Sequence, residues 1–219
     1  MVDYVATRRT MVANQIRTNR VTDPAILEAF EAVPRERFVP DRLRAIAYAD
    51  KDLDLGNGRF LIEPMVLARL LQTALPQPGD AALDIACGPA YTTAILSQLV
   101  SSVVAVEEDP DLATAGNAHL AALEMDNAAV ITGPAADGCG SQQPFSLILL
   151  AGGVGFVPET LLDQLSEGGR LVTVLYENQD RVGRAVIFEK IGGTIGRRTV
   201  FDAMTPLLPG FARGPGFVF

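Results

Sequence analysis

Two acidic residues frame the chemistry this chain could do. In "ALDIACGPAYTTAIL", Asp84 sits near the end of an apolar run, and the small-residue turn Ala86-Cys87-Gly88 leads to Pro89 at a helix start. Proline has a helical φ already and sacrifices no hydrogen bond in a first turn. The small side chains let a ligand approach the backbone, and the helix start offers unpaired N–H groups. Glu107 closes the next apolar run, "SVVAVE", about twenty residues past the turn. A carboxylate there can accept hydrogen bonds from both hydroxyls of a ribose.

Phosphate-binding loops do not fit. Neither G-x-G-x-x-G nor G-x-x-x-x-G-K-[ST] occurs here. An acid before a small-residue turn, with a second acid closing the next strand, suits a nucleoside carrying a cationic amino-acid end. S-adenosylmethionine is a cofactor of that shape. Glu107 is then expected on the ribose hydroxyls, and Asp84, Ala86 and Gly88 around the methionine moiety, with Asp84 reaching its amino group directly or through water. Cys87 and Tyr91 join them as cofactor-binding residues. Glu108 and the turn Gly133-Pro134-Ala135 are placed beside adenine, and Ala151 near the sulfonium. The bland alternative is a turn kept small for helix–strand packing.

The elements that must position these groups are legible from periodicity. From residue 80 onward, near-continuous apolar runs alternate with helical segments, the pattern of a parallel sheet covered on both faces. Strands are expected at 81–86, 102–107, 128–132, 146–151 and 169–176, and helices at 90–100, 110–124 and 158–165. "RAVIFEKIGG" and "TIGRRTVFD" read as an antiparallel hairpin, followed by an ordered but irregular tail in which Phe211, Phe217 and Phe219 need somewhere to pack. Residues 1–79 show no strand alternation and read as helices at "VATRRTMVANQIRT", "DPAILEAFEAVP" and "PMVLARLLQTAL", with Asp23 as a cap and Pro24 in the first turn. The chain is therefore divided into an N-terminal helical region with a substrate-side loop, 1–79, and a cofactor-binding domain with an irregular tail, 80–219.

Composition narrows the partners. A net charge of −8 argues against a polyanion partner, so no nucleic acid is expected. Arg8, Arg9, Arg17 and Arg20 read as a solvated helix face. No apolar run approaches the roughly 20 residues needed to cross a bilayer, and with Asp3 and no signal-peptide core the protein is expected in the cytoplasm, without a membrane partner. Two cysteines and the single His119 make neither a disulfide framework nor a metal set, and His119 reads as a packing residue.

Four segments, "ANQIRTNRVTDPAILEAFEAVPRERFVP", "AYADKDLDLGNGR", "ALDIACGPAYTTAILSQLVSSVVAVEEDPDL" and "LLDQLSEGGRLV", resemble the protein-L-isoaspartate O-methyltransferases in order and spacing, over about residues 8–176. The resemblance implies an α/β fold, the three-layer αβα Rossmann-like sheet of class I methyltransferases, seven-stranded, with a C-terminal antiparallel hairpin and an N-terminal helical extension. It also implies methyl transfer from S-adenosylmethionine to the α-carboxylate of L-isoaspartyl residues in damaged proteins or peptides. The sequence departs from the family at three places. The loop "GNGRFLIEP" carries Ile62 and Glu63 where the family has serine, usually held essential, and glutamine. Alanines 86 and 90 replace glycines of the acidic-x-G-x-G-x-G turn, and Ala is expected to exclude positive φ there. Gly133-Pro134-Ala135 replaces Gly-Asp-Gly, whose aspartate bonds adenine. These departures leave open another methyl acceptor, with Phe60, Leu61 and Ile62 lining an apolar pocket, or a non-catalytic relative.

Overall fold

The computed structural model describes residues 2–177 and 181–213, so Phe217 and Phe219 lie outside the described residues. Helix α1 (Tyr4–Met11) starts where the Asp3 side chain accepts from the Ala6 amide at 3.0 Å, and runs into a π-turn over Val12–Ile16. Helix α2 (Pro24–Ala32) is capped as its sequence dictates: Asp23 accepts from the Ala25 and Ile26 amides, and Pro24 needs no donor in the first turn.

Residues 1–79 also contain a hairpin that helical periodicity did not suggest, which corrects the strandless reading. Strands β1 (Leu53–Gly56) and β2 (Arg59–Leu61) pair antiparallel. Gly56, Asn57 and Gly58 turn the chain at φ of 99°, 53° and 72°, a left-handed path that glycine and asparagine tolerate best. Helix α3 (Pro64–Ala74) follows at once.

The main sheet comprises β3 (Ala81–Ile85), β4 (Ser102–Glu107), β5 (Ala128–Thr132), β6 (Phe145–Val154), β7 (Leu165–Leu175), β8 (Gly183–Ile191) and β9 (Thr194–Ala203). Their order is β5-β4-β3-β6-β7-β8-β9; the first five strands are parallel, and the last two pairings, β7 with β8 and β8 with β9, are antiparallel. Helices α4 (Tyr91–Ser97), α5 (Pro110–Ala122) and the short α6 (Glu159–Asp163) fill the crossovers. Gly192 and Gly193 close the last hairpin at φ of 59° and 74°, the double positive φ of a two-residue turn.

Successive strand residues alternate between two apolar layers. Ala82, Val103, Ala105, Leu147 and Leu149 face the helical side, where Phe30, Leu67, Leu71, Ile95 and Leu120 join the same continuous cluster. Leu83, Ile85, Val106, Ile148 and Leu150 face the other side, covered by Ala135, Leu161, Leu208 and Phe211. Burial on both faces is why these strands read as unbroken apolar runs. Strand β6 runs past its expected end at 151 because glycines there receive the returning tail. A side chain on Gly152 would meet Leu208 at 2.6 Å, and Gly153 exchanges backbone hydrogen bonds with Pro206 and Leu208, both at 2.8 Å. No helix among the described residues is long and apolar enough to cross a membrane.

Candidate active site

The predicted groups converge at the carboxyl ends of β3, β4 and β5. Strand order reverses between β3 and β6, and open α/β sheets bind ligands in the crevice at such a switch. Asp84 lies inside it, fully buried, on the central strand. Its Oδ2 accepts from Thr93 Oγ1 of α4 at 2.7 Å, while Oδ1 has no hydrogen-bond partner among the described residues. Burial pushes this carboxyl from 3.8 up to about 7; the Thr93 hydrogen bond opposes the rise and the Glu107 charge adds to it. Burial, then the charges of Asp84 and Glu107, also drive the Cys87 thiol well above its ordinary value. Cys87 is therefore a small buried side chain rather than a thiolate.

The turn keeps a left-handed path despite its alanines. Ala86, Gly88 and Ala90 have φ of 55°, 56° and 72°. The expectation that alanine excludes positive φ at 86 and 90 is corrected: the fixed ends of β3 and α4 impose the path, and each methyl tolerates it at roughly 1–2 kcal/mol. Over the turn, a side chain on Gly116 of α5 would approach Ala90 Cβ to 3.1 Å, so helix and turn are in close contact.

Glu107 is fully buried and already engaged. Oε2 accepts from the Gly88 amide at 2.8 Å, Oε1 from the Asp109 amide at 3.0 Å, and Oε1 also from Arg59 Nη2 at 2.5 Å. Arg59 was missed by motif reading. It belongs to β2, where residues alternate: Arg59 and Leu61 are buried, and Phe60 between them is 37% exposed. The signal available was Gly-Asn-Gly followed by one charged, one apolar and one apolar residue, a hairpin whose first strand residue shares a face with the third.

The loop after β2 is clamped from beneath. Arg35, fully buried, donates from Nε to the Ala47 carbonyl at 2.8 Å and from Nη2 to the Ile62 carbonyl at 2.7 Å and the Leu61 carbonyl at 3.4 Å. Its guanidinium carbon stands 4.9 Å from the centre of the Tyr91 ring. Burial lowers its pKa below the ordinary arginine value, and Tyr91 opposes that change. The Ile62 and Leu61 side chains are core residues, so the apolar pocket of Phe60, Leu61 and Ile62 is not formed: two of the three are already packed. Glu63 precedes α3 without capping it by its side chain, and its amide donates to Asp52 Oδ1 at 2.9 Å. Burial, then the charges of Asp52 and Asp50, raise Glu63 to about 7.

Three further assignments resolve differently. The Tyr91 ring is fully buried and packs edge-on against Phe30 and Phe38, on the side of the N-terminal helices. Glu108 and the Gly133-Pro134-Ala135 turn are brought together, the Glu108 carboxylate accepting from the Ala135 amide at 3.0 Å. Ala151 is half-buried on β6, where the pairing with β7 shifts between Leu149 and Gly153. His119 packs, with its ring edge-on to Phe38 and Nδ1 3.0 Å from the Pro89 carbonyl.

The model of the protein-L-isoaspartate(D-aspartate) O-methyltransferase family matches residues 6–202. The chain belongs to this family. A protein-L-isoaspartate O-methyltransferase of Koribacter versatilis is 36% identical over 172 residues, covering 78% of each chain. One from Syntrophobacter fumaroxidans is 32% identical over 192 residues, 88% of each. Two solved structures share the fold. A protein-L-isoaspartate O-methyltransferase aligns with TM-score 0.82 at 24% identity over 93% of this chain and 66% of its own, and a Plasmodium falciparum protein bearing that name, in complex with S-adenosyl-L-homocysteine, aligns with TM-score 0.78 at 20% identity, over 92% and 97%. The seven-stranded methyltransferase sheet and its antiparallel ending are thereby established for this member of the family.

S-adenosylmethionine, the methyl donor of this methyltransferase family, fits one end of the site and meets an obstacle at the other. The unpartnered Oδ1 of Asp84, buried beside a turn whose backbone follows the left-handed path, suits an ammonium group. Glu107, the residue expected on the ribose, closes β4 beside the turn, but both of its oxygens already hold donors, one of them the guanidinium of Arg59.

Proposed function

We propose that this chain methylates the α-carboxylate of L-isoaspartyl residues in proteins or peptides, using S-adenosylmethionine. The observation that carries the reading is Asp84 with its free oxygen beside the turn 86–90, which keeps its left-handed geometry even with alanines in glycine positions. The acceptor is supported by relatives of that name at 36% and 32% identity.

The cofactor would supply an electrophilic methyl group on a sulfonium. What remains for the protein is positioning, because a carboxylate acceptor is ionised at neutral pH and needs no general base. Asp84 anchors the amino-acid end. Arg35, through the Leu61 and Ile62 carbonyls, fixes the backbone of the loop where the acceptor approaches. Glu63, raised to about 7, carries only part of its charge at neutral pH, which softens its repulsion of an incoming carboxylate.

Ile62 favours a second reading in which the acceptor is another carboxylate, since the buried isoleucine offers no hydroxyl. Radiolabelled methyl incorporation into an isoaspartyl peptide and its aspartyl isomer separates the two. The expected result is base-labile label in the isoaspartyl peptide alone. No label, with S-adenosylhomocysteine binding demonstrated by calorimetry, moves the acceptor elsewhere; no label and no binding removes methyl transfer.

A further inference from the structure

The Glu107 carboxylate cannot serve a ribose diol and Arg59 at once. Of the roughly four acceptor directions of a carboxylate, three are taken by the Gly88 and Asp109 amides and the guanidinium, which leaves one where a diol needs two, and the carboxylate has no exposed surface. The two amides belong to the backbone turns that build the site and cannot leave without dismantling it. Arg59 can leave. It sits on a three-residue strand beside a turn, and Asn57 and Gly58 at the turn are exposed. Around this hairpin the firm attachments are at its base, where Arg35 holds the Leu61 and Ile62 carbonyls and Arg42 Nη2 donates to the Asp54 carbonyl at 3.1 Å.

Arg59 is also incompletely satisfied where it lies. It is only 6% exposed, yet Nη1 has no hydrogen-bond partner among the described residues. A buried donor left unpaired destabilises this arrangement, which favours exchanging the contact for another. The hairpin also touches the returning tail: a side chain added at Gly58 would stand 3.7 Å from Pro209.

We propose that Arg59 is a competitor for the cofactor built into the acceptor loop: it occupies the ribose-binding carboxylate of Glu107 in the free protein, and a nucleoside gains that carboxylate only by displacing the guanidinium. This rests on the methyltransferase reading above. Cofactor entry and the placement of loop 56–64 are thereby coupled, because the residue that must move lies three positions before Ile62. The apparent affinity for any ribose-bearing ligand is reduced by the fraction of molecules in which Arg59 is in place.

Titration calorimetry with S-adenosylhomocysteine on the wild type, Arg59→Gln and Arg59→Ala, each first shown to be folded by circular dichroism, tests the proposal. Both variants are expected to bind about tenfold more tightly or better, and Glu107→Gln to bind more weakly than wild type. Equal or weaker binding by both Arg59 variants, with the wild type binding, overturns the competitor and leaves the cofactor reading intact. Absence of binding by every protein overturns both. Should neither Arg59 variant fold, hydrogen exchange of the wild type decides: saturating S-adenosylhomocysteine should deprotect the amides of residues 59–61, and unchanged protection overturns the proposal.

Discussion

Replacing Asp84 by asparagine should stabilise the protein at high pH and do little at low pH. The carboxyl titrates near 3.8 when unfolded and at about 7 when buried on β3. A raised folded-state value means that the native state holds its proton more tightly than the unfolded state. The stability this confers is complete below about 3.8 and is lost as pH rises through about 7. With one pKa unit equal to about 1.4 kcal/mol, the loss amounts to about 2 kcal/mol by pH 5 and about 4 kcal/mol by pH 8. Asparagine keeps the shape and can still accept from Thr93, but it does not titrate. The difference in unfolding free energy between the variant and the wild type should therefore grow by roughly 2–3 kcal/mol from pH 5 to pH 8. Urea denaturation of both proteins at the two pH values measures it, and titrating groups that do not sense the Asp84 charge cancel in the comparison. A difference that stays constant with pH would refute the reasoning, because it would mean that Asp84 ionises in the folded protein as it does in the unfolded chain.

Arg35→Met should cost about 3–5 kcal/mol in urea denaturation, since it strands the Ala47 and Ile62 carbonyls in a dry interior; a loss under about 1 kcal/mol would show that water replaces the guanidinium. Ala86→Gly should raise stability by up to about 1 kcal/mol, because relief of the left-handed strain outweighs the greater freedom glycine gains in the unfolded chain; a lower melting temperature would place the residue's true φ outside that region.

The sheet could be read in the sequence because burial on both faces writes itself as continuous apolar runs, and the strand at 102–107 falls where periodicity puts it. Asp23 and Pro24 announced α2 by capping chemistry that is local to three residues. The strand-end positions of Asp84 and Glu107 were legible because strand ends are set by the same runs. The hairpin at 53–61 escaped because its strands of four and three residues are shorter than any reliable alternation. The role of Arg59 escaped for a different reason: its partner is 48 residues away, and nothing in either neighbourhood refers to the other. Tyr91 reads with the cofactor by its closeness in sequence to the turn, and the helix that begins there packs its ring against Phe30 and Phe38.

The alanines at 86 and 90 have a meaning beyond their strain. A nucleoside-binding turn is usually searched for as a string of glycines, and such a search fails here although the chain still traces the curve that glycines would have allowed. What this site inherits is a sequence of torsion angles enforced by the strand before it and the helix after it, and the letters can change as long as those two rails stay in place. Relatives that have lost every glycine of the motif would still be recognised by where the backbone turns left-handed between the end of one strand and the start of the next helix.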